Sequence, residues 1–173
     1  IQGALGNCFV PAAMRAAAFA APNFIETLPT KLRLTKNGET FDAYRTRLFS
    51  DADGTKSYDC DGDLYVRSSG FPAYGASLRL GNGTDLNAML GWYPMFEKNY
   101  AQKHGGYDVL GEGGISGEVL SEVFGVSYEY ESINDRSKND IWKTIKDGTA
   151  ARPNKFAMTV REPIGACTHH RGG

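Results

Sequence analysis

Residues 2–21 read Gln2-Gly-Ala-Leu-Gly-Asn-Cys-Phe-Val-Pro-Ala-Ala-Met-Arg-Ala-Ala-Ala-Phe-Ala-Ala21. Alanine has the highest intrinsic helix propensity. Proline is tolerated in the first turn of a helix, whereas a proline after the last turn prevents the helix from continuing. The segment therefore predicts a central, buried helix from about Cys8 to Ala21, with Asn7 as its N-cap. Cys8 would lie in the first turn, where free N–H groups and the helix dipole stabilise negative charge.

Gln2 lies six residues before Cys8 across a glycine-containing turn. Such a turn can bring the neutral carboxamide close to the backbone N–H of Cys8. Two converging donors of this kind form an oxyanion hole for a tetrahedral intermediate. The pair favours a nucleophilic cysteine, with a buried structural cysteine as the alternative.

Composition narrows the class of protein. The chain has 173 residues, 41% of them hydrophobic, and a formal net charge of −1, which suits a folded domain and argues against intrinsic disorder. A near-neutral chain without a basic run predicts no nucleic-acid partner and no membrane association. The least polar stretch, residues 8–22, is interrupted by Arg15 and is too short to cross a bilayer.

The three cysteines are Cys8, Cys60 and Cys167. An odd number leaves one thiol outside any disulfide framework, and no spacing matches a structural zinc site. We expect Cys60 and Cys167 to be ordinary thiols of a protein in a reducing, cytoplasmic compartment. Secretion is the alternative location.

The stretch from 30 to 85 is typical of β-structure, with hairpin-type dipeptides at Asn37-Gly38, Asp53-Gly54 and Asp61-Gly62 and a short strand at 64–66. The acidic residues from Asp59 to Asp63 suggest a calcium loop. However, Leu64 and Gly70 stand where an EF-hand requires Gly and Glu. A solvated hairpin turn is the preferred interpretation.

Helical signals dominate the following part of the chain. They predict an interrupted helix over 85–104 with Pro94 in a first turn, a helix over 116–124 capped by Ser116, and a helix that begins at the Ser137–Asp140 capping box and ends at Gly148. Alternating apolar residues over 156–160 predict a strand. This order of elements is α+β rather than alternating βαβ.

The segment from Gln2 to Phe9 resembles the active-site motif of calpain-type cysteine proteases of the papain-like group, Gln-Gly-x-x-Gly-Asp-Cys-Trp. This chain has Asn7 in place of Asp and Phe9 in place of Trp. Residues 92–107 are similar to the family segment Trp-x-x-Leu-Leu-Glu-Lys-Ala-Tyr-Ala-Lys-x-x-Gly-x-Tyr. Gly113-Gly114 with the helix that follows, and the 141–148 helix, also match the family pattern.

The resemblance implies a papain-like fold in two parts. A helical subdomain (residues 1–125) would carry Cys8 on a central helix together with Gln2, and an incomplete β-sandwich-like subdomain (residues 126–173) would follow. It also implies a cysteine endopeptidase that acts on proteins or peptides, in which a histidine draws the thiol proton and then protonates the leaving amine. A catalytically inactive, protein-binding module is the alternative.

The family's second-subdomain pattern, Gly-Leu-Val-x-Gly-His, places a histidine five residues after its first glycine. His170 stands at that spacing from Gly165, so we predict His170 as the base. His169 and a histidine beyond residue 173 are the alternatives, and His104 is expected to be a helix-terminal surface residue. The residues after His170 depart from the pattern, and no Asn-Pro-Trp-type segment is present, so a further segment or chain is expected to complete the site.

Glu97 matches an acidic position that serves a calcium site in animal members of the family. The resemblance therefore makes calcium a candidate cofactor. A salt-bridged glutamate on a helix surface is the alternative interpretation.

Overall fold

The alanine-rich segment forms helix α1 (Phe9–Ala20), as its helix propensity predicts. It belongs to a computed structural model that describes residues 3–25, 27–50, 54–70, 72–75, 92–130, 132–150, 152–153 and 159–160. One face of α1 is buried, from Phe9 and Val10 to Ala17, whereas Phe19 on the other face is 75% exposed. The helix is therefore half-buried rather than enclosed. A short helix, α2 (Pro22–Ile25), follows.

Three antiparallel strands form a sheet in the order β1 (Thr30–Lys36), β2 (Glu39–Ser50) and β3 (Gly54–Asp61). The predicted turn at Asn37-Gly38 is confirmed: both residues have positive φ, 54° and 83°, which suits a tight hairpin.

Two predictions near the end of this sheet are wrong. In the described part of the chain, β3 ends at Asp61 with no hairpin at Asp61-Gly62, and the expected strand at 64–66 is reduced to a single bridge between Val66 and Pro72. The acidic residues here form ion pairs: Arg45 Nε is 2.7 Å from Asp59 Oδ1, and Lys98 pairs with Asp61.

Helices α3 (Trp92–Lys103), α4 (Tyr107–Leu110) and α5 (Ser116–Phe124) complete the core. Tyr93, Phe96 and Tyr100 of α3 are buried, and α5 packs between α1 and β2. Buried Asn99 joins α3 to the sheet, because its Nδ2 donates to Tyr44 O and Thr46 Oγ1, each at 2.9 Å. Residues 76–91, where an earlier part of the α3 helix was expected, lie outside the described residues.

The end of the described chain contains α6 (Lys138–Thr149) and a two-stranded ladder of β4 (Arg152–Pro153) with β5 (Thr159–Val160). The predicted cap of α6 is confirmed, since Ser137 Oγ accepts from Asp140 N at 3.2 Å. The α+β class is confirmed, whereas the subdomain boundary at 125/126 stays a prediction. Among the described helices, none has the length and hydropathy needed to cross a bilayer.

Helices α3 and α5 are joined by a charged cluster around Glu122. Its Oε1 lies 2.6 Å from Lys103 Nζ and its Oε2 lies 3.0 Å from His104 Nε2. Contrary to expectation, His104 is a partly buried member of this cluster rather than a surface residue. Burial alone would raise the pKa of Glu122, but the hydrogen bonds from His104 and Lys103 outweigh it and hold that pKa below its ordinary value of 4.5.

We expect Glu122→Gln to lower the free energy of unfolding by about 1–3 kcal/mol near neutral pH. Because the folded-state pKa is depressed, the ionised carboxylate contributes stability above its unfolded pKa, and this contribution is lost as the pH falls through the folded value. The loss of stability caused by the substitution should thus shrink in acid. Thermal unfolding of the wild type and of Glu122→Gln, from neutral pH into acid, measures this difference in stability.

Glu118→Gln is the matched control for this prediction. Glu118 lies on the same helix but is exposed, with one long hydrogen bond of 3.3 Å from Tyr128 Oη. Its substitution should change stability little at any pH. A difference between wild type and Glu122→Gln that stays constant into acid would contradict the pH argument.

Candidate active site

Cys8 lies at the start of α1 with its side chain exposed. Cys8 was predicted to lie in the first turn, but it is the N-cap residue of α1. Its backbone is already helical (φ −52°, ψ −26°). Its carbonyl accepts from Ala12 N at 3.1 Å. The thiol therefore stands at the end of the helix where unpaired N–H groups lie, and it is accessible from solvent.

Asn7 does not cap α1, which corrects the sequence prediction. Its side chain is 0% exposed, and its Nδ2 donates to Glu97 Oε1 at 2.7 Å. A buried carboxylate needs hydrogen-bond donors, and the early amide of Val10 is satisfied by the Asn7 carbonyl oxygen at 2.9 Å without the Asn7 side chain. Asn7 is thus directed inward, while Cys8 beside it is directed outward.

Glu97 is buried, at 1% exposure, so the interpretation as a surface salt bridge is wrong. Besides Asn7, it accepts from Tyr93 Oη at 2.9 Å and from Gly75 N at 2.8 Å. These donors approach both carboxylate oxygens. Glu97 is therefore a buried hydrogen-bond acceptor.

This arrangement does not fit Glu97 as a calcium ligand. Calcium requires six to eight oxygen ligands, whereas Glu97 is surrounded by N–H and O–H donors whose hydrogens would repel a cation. In the described part of the chain, no group of three or more His, Cys, Asp or Glu side chains could hold a metal ion. We derive no catalytic step through calcium.

The loop before Cys8 is held by close backbone contacts on both sides. Ala4 N donates to Ala73 O at 3.0 Å. On the other side, a Cβ added to Gly6 would lie 2.5 Å from the carbonyl oxygen of Gly111, closer than packed atoms approach. The sequence suggested that these glycines allow a turn, and the structure shows that Gly6 also permits this close contact.

Gly114 lies beside the ring of Phe9, the residue that follows Cys8. A Cβ on Gly114 would come within 2.6 Å of the Phe9 ring, and Ser116 Oγ donates to Phe9 O at 3.1 Å. Ser116 was predicted to cap α5, but it fixes the start of α1 instead. Gly114 and its neighbour Gly113 are both exposed, so this stretch of surface carries no side chain.

Cys60 differs sharply from Cys8. It is buried in β3, its Sγ lies 3.7 Å from the Met95 carbonyl oxygen to which it donates, and burial raises its pKa to about 11. A thiol with such a pKa is a poor nucleophile at neutral pH. The expectation of an ordinary structural thiol is consistent with this environment.

The other predicted site residues, Gln2, His169 and His170, lie outside the described residues, as does Cys167. Their positions relative to Cys8 therefore remain predictions. The sequence interpretation missed the Asn7–Glu97 pair, although one signal pointed to it. Glu97 stands four residues after Tyr93 and three before Tyr100, a spacing that places all three side chains on one face of a helix.

An accessible cysteine at the start of a core helix lies where the helix end favours a thiolate, as a nucleophilic cysteine requires. A sequence model of the calpain family cysteine proteases matches residues 1–168. The chain belongs to this family, and membership supports a general cysteine-peptidase role. No match was found among curated proteins.

Proposed function

We propose that this protein is a calpain-like cysteine endopeptidase in which Cys8 is the nucleophile, His170 the base and Gln2 an oxyanion donor. The observation that carries the proposal is the exposed position of Cys8 at the start of α1. It is combined with membership of the calpain family. Gln2 and His170 enter through the family motif and its spacing.

The proposed reaction proceeds through a thioester. His170 takes the proton from Cys8, and the sulfur attacks the carbonyl carbon of a peptide bond. The Gln2 amide and the Cys8 backbone N–H stabilise the resulting oxyanion. His170 then gives its proton to the leaving amine, and water hydrolyses the thioester to release the carboxylate product and the free thiol.

The surroundings of Cys8 suit a peptide substrate. Gly113 and Gly114 are exposed, and Gly114 packs against Phe9, the residue after Cys8, so this stretch presents no side chain that would obstruct an extended chain. The close contacts of the loop before Cys8 limit its movement, which favours a fixed attack geometry. A second subdomain, residues 126–173 with a further segment or chain, would supply the opposite wall of the cleft.

Cleavage of a reduced, carboxymethylated protein tests the proposal. New amino termini, quantified by mass spectrometry, should increase with time when the protein is added. The alternative, an inactive calpain-like binding module, predicts binding of the same substrate without new termini. Binding without cleavage would overturn the peptidase proposal.

A further inference from the structure

Glu97 is a buried carboxylate without an ion-pair partner among the described residues. Glutamate is seldom fully buried unless it is paired, and moving a carboxylate out of water is unfavourable by several kcal/mol before hydrogen bonds compensate. An apolar side chain could fill the same space in the core. The hydrogen bonds that Glu97 accepts therefore identify what it holds in place.

The three donors to Glu97 come from three different segments. Tyr93 belongs to α3 itself, Asn7 to the loop before the nucleophile, and Gly75 to the 72–75 segment. There is no room for a side chain at Gly75, where an added Cβ would lie 2.3 Å from the Tyr93 ring and within 2.9 Å of both Glu97 oxygens. Glu97 thus fastens both segments to α3.

Asn7 passes this restraint to Cys8. Its side chain is fixed by Glu97 at 2.7 Å, and its carbonyl accepts from Val10 N at 2.9 Å. Cys8 follows Asn7 directly in the sequence and precedes Phe9, whose side chain is buried, so both neighbours of Cys8 are held in place. Movement of Asn7 therefore displaces the thiol.

We propose that Glu97 is a positioning residue of the peptidase site, acting through Asn7 to hold Cys8 at the geometry of attack. This inference rests on the proposed function. An amide can donate to Glu97, whereas an aspartate would place a second carboxylate against it.

Exchanging donor and acceptor tests the proposal. Asn7→Asp should lower kcat by about 10- to 100-fold with a smaller change in KM, since a displacement of about 1 Å can cost 10²-fold. The double variant Asn7→Asp/Glu97→Gln restores one amide and one carboxylate and should recover most of kcat. Kinetics are measured below the unfolding temperature of every variant.

Asn99→Asp is the matched control. Asn99 is equally buried, at 0% exposure, and its Nδ2 bonds to β2 instead of Glu97. It should lose stability but keep kcat within about threefold of wild type, because the thiol is not displaced. If an aspartate variant does not fold, the alanine variants at positions 7 and 99 give the same comparison.

Hydrogen exchange of the amides of residues 7–10 provides a readout that does not need activity. It should be faster in Asn7→Asp, return towards wild type in the double variant, and stay unchanged in Asn99→Asp. The positioning role would be overturned if Asn7→Asp and Asn99→Asp had equal kcat values. It would also be overturned if the amides of residues 7–10 exchanged as fast in the folded double variant as in Asn7→Asp. A wild type that cleaves nothing but shows the exchange pattern would refute only the proposed function.

Discussion

Cys8→Ala is expected to lower kcat for peptide hydrolysis by about 10⁴- to 10⁶-fold, the range found when the nucleophile of a comparable protease is removed. The reason is that the thioester route is lost, and binding and oxyanion stabilisation alone support little reaction. The Cys8 side chain is exposed, so the unfolding temperature should change little. Steady-state kinetics and thermal unfolding of the same preparation measure both effects.

Cys60→Ala is the control for this substitution. The Cys60 side chain is buried and donates to the Met95 carbonyl, so its removal should destabilise the domain by about 1–3 kcal/mol. It should leave kcat near wild type at temperatures where the domain is folded. Loss of activity in Cys60→Ala alone, with Cys8→Ala still active, would show that the nucleophile has been wrongly assigned.

His170→Ala should reduce kcat by about 10³- to 10⁶-fold, because the protein would lose both the acceptor of the thiol proton and the donor to the leaving amine. His169→Ala should change kcat by less than about tenfold, since this side chain has no role in proton transfer in the proposed reaction. Substrate binding should persist in both variants. Single-turnover kinetics with a fluorogenic peptide separate binding from chemistry.

Added imidazole distinguishes loss of the base from loss of the fold. It should partly restore His170→Ala, because a small base can occupy the vacated space, and it should leave Cys8→Ala inactive. A large loss in His169→Ala instead would assign the base to that residue. Full activity in both histidine variants would place the base elsewhere and refute the role of His170.

Local signals were enough to predict most helices and one turn. The alanine run predicts α1, the Ser137–Asp140 capping box predicts α6, and α5 ends at residue 124 as predicted, followed by Gly125 in the left-handed conformation at φ 67°. These features depend on interactions within a few residues, which a sequence displays directly. The Asn37-Gly38 hairpin belongs to the same group.

Interactions between residues far apart in the sequence could not be predicted from the same local patterns. Asn7 can cap a helix or bind a distant carboxylate, and the choice is decided by Glu97, 90 residues away. Among the described residues, the strand expected at 64–66 pairs only through a single bridge, between Val66 and Pro72. Likewise, composition favours an exposed Glu97, and only the convergence of three donors makes its burial possible.

The site itself was predicted unevenly. The prediction of Cys8 as a site residue follows from its position before an alanine-rich helix. The structure places Cys8 at the start of that helix with its thiol exposed. Gln2 and His170 depend on motif spacing. Spacing alone does not establish that distant side chains converge, so their roles stay predictions.

The central claim is that Cys8 is an activated nucleophile, and labelling by a peptidyl epoxide tests it most directly. Site-resolved mass spectrometry of the intact protein should find one adduct, on Cys8, formed at least about 100-fold faster than any adduct on Cys60 and in step with loss of activity. Slow labelling of Cys8 at the rate of Cys60, or complete labelling of Cys8 with activity retained, would contradict the claim.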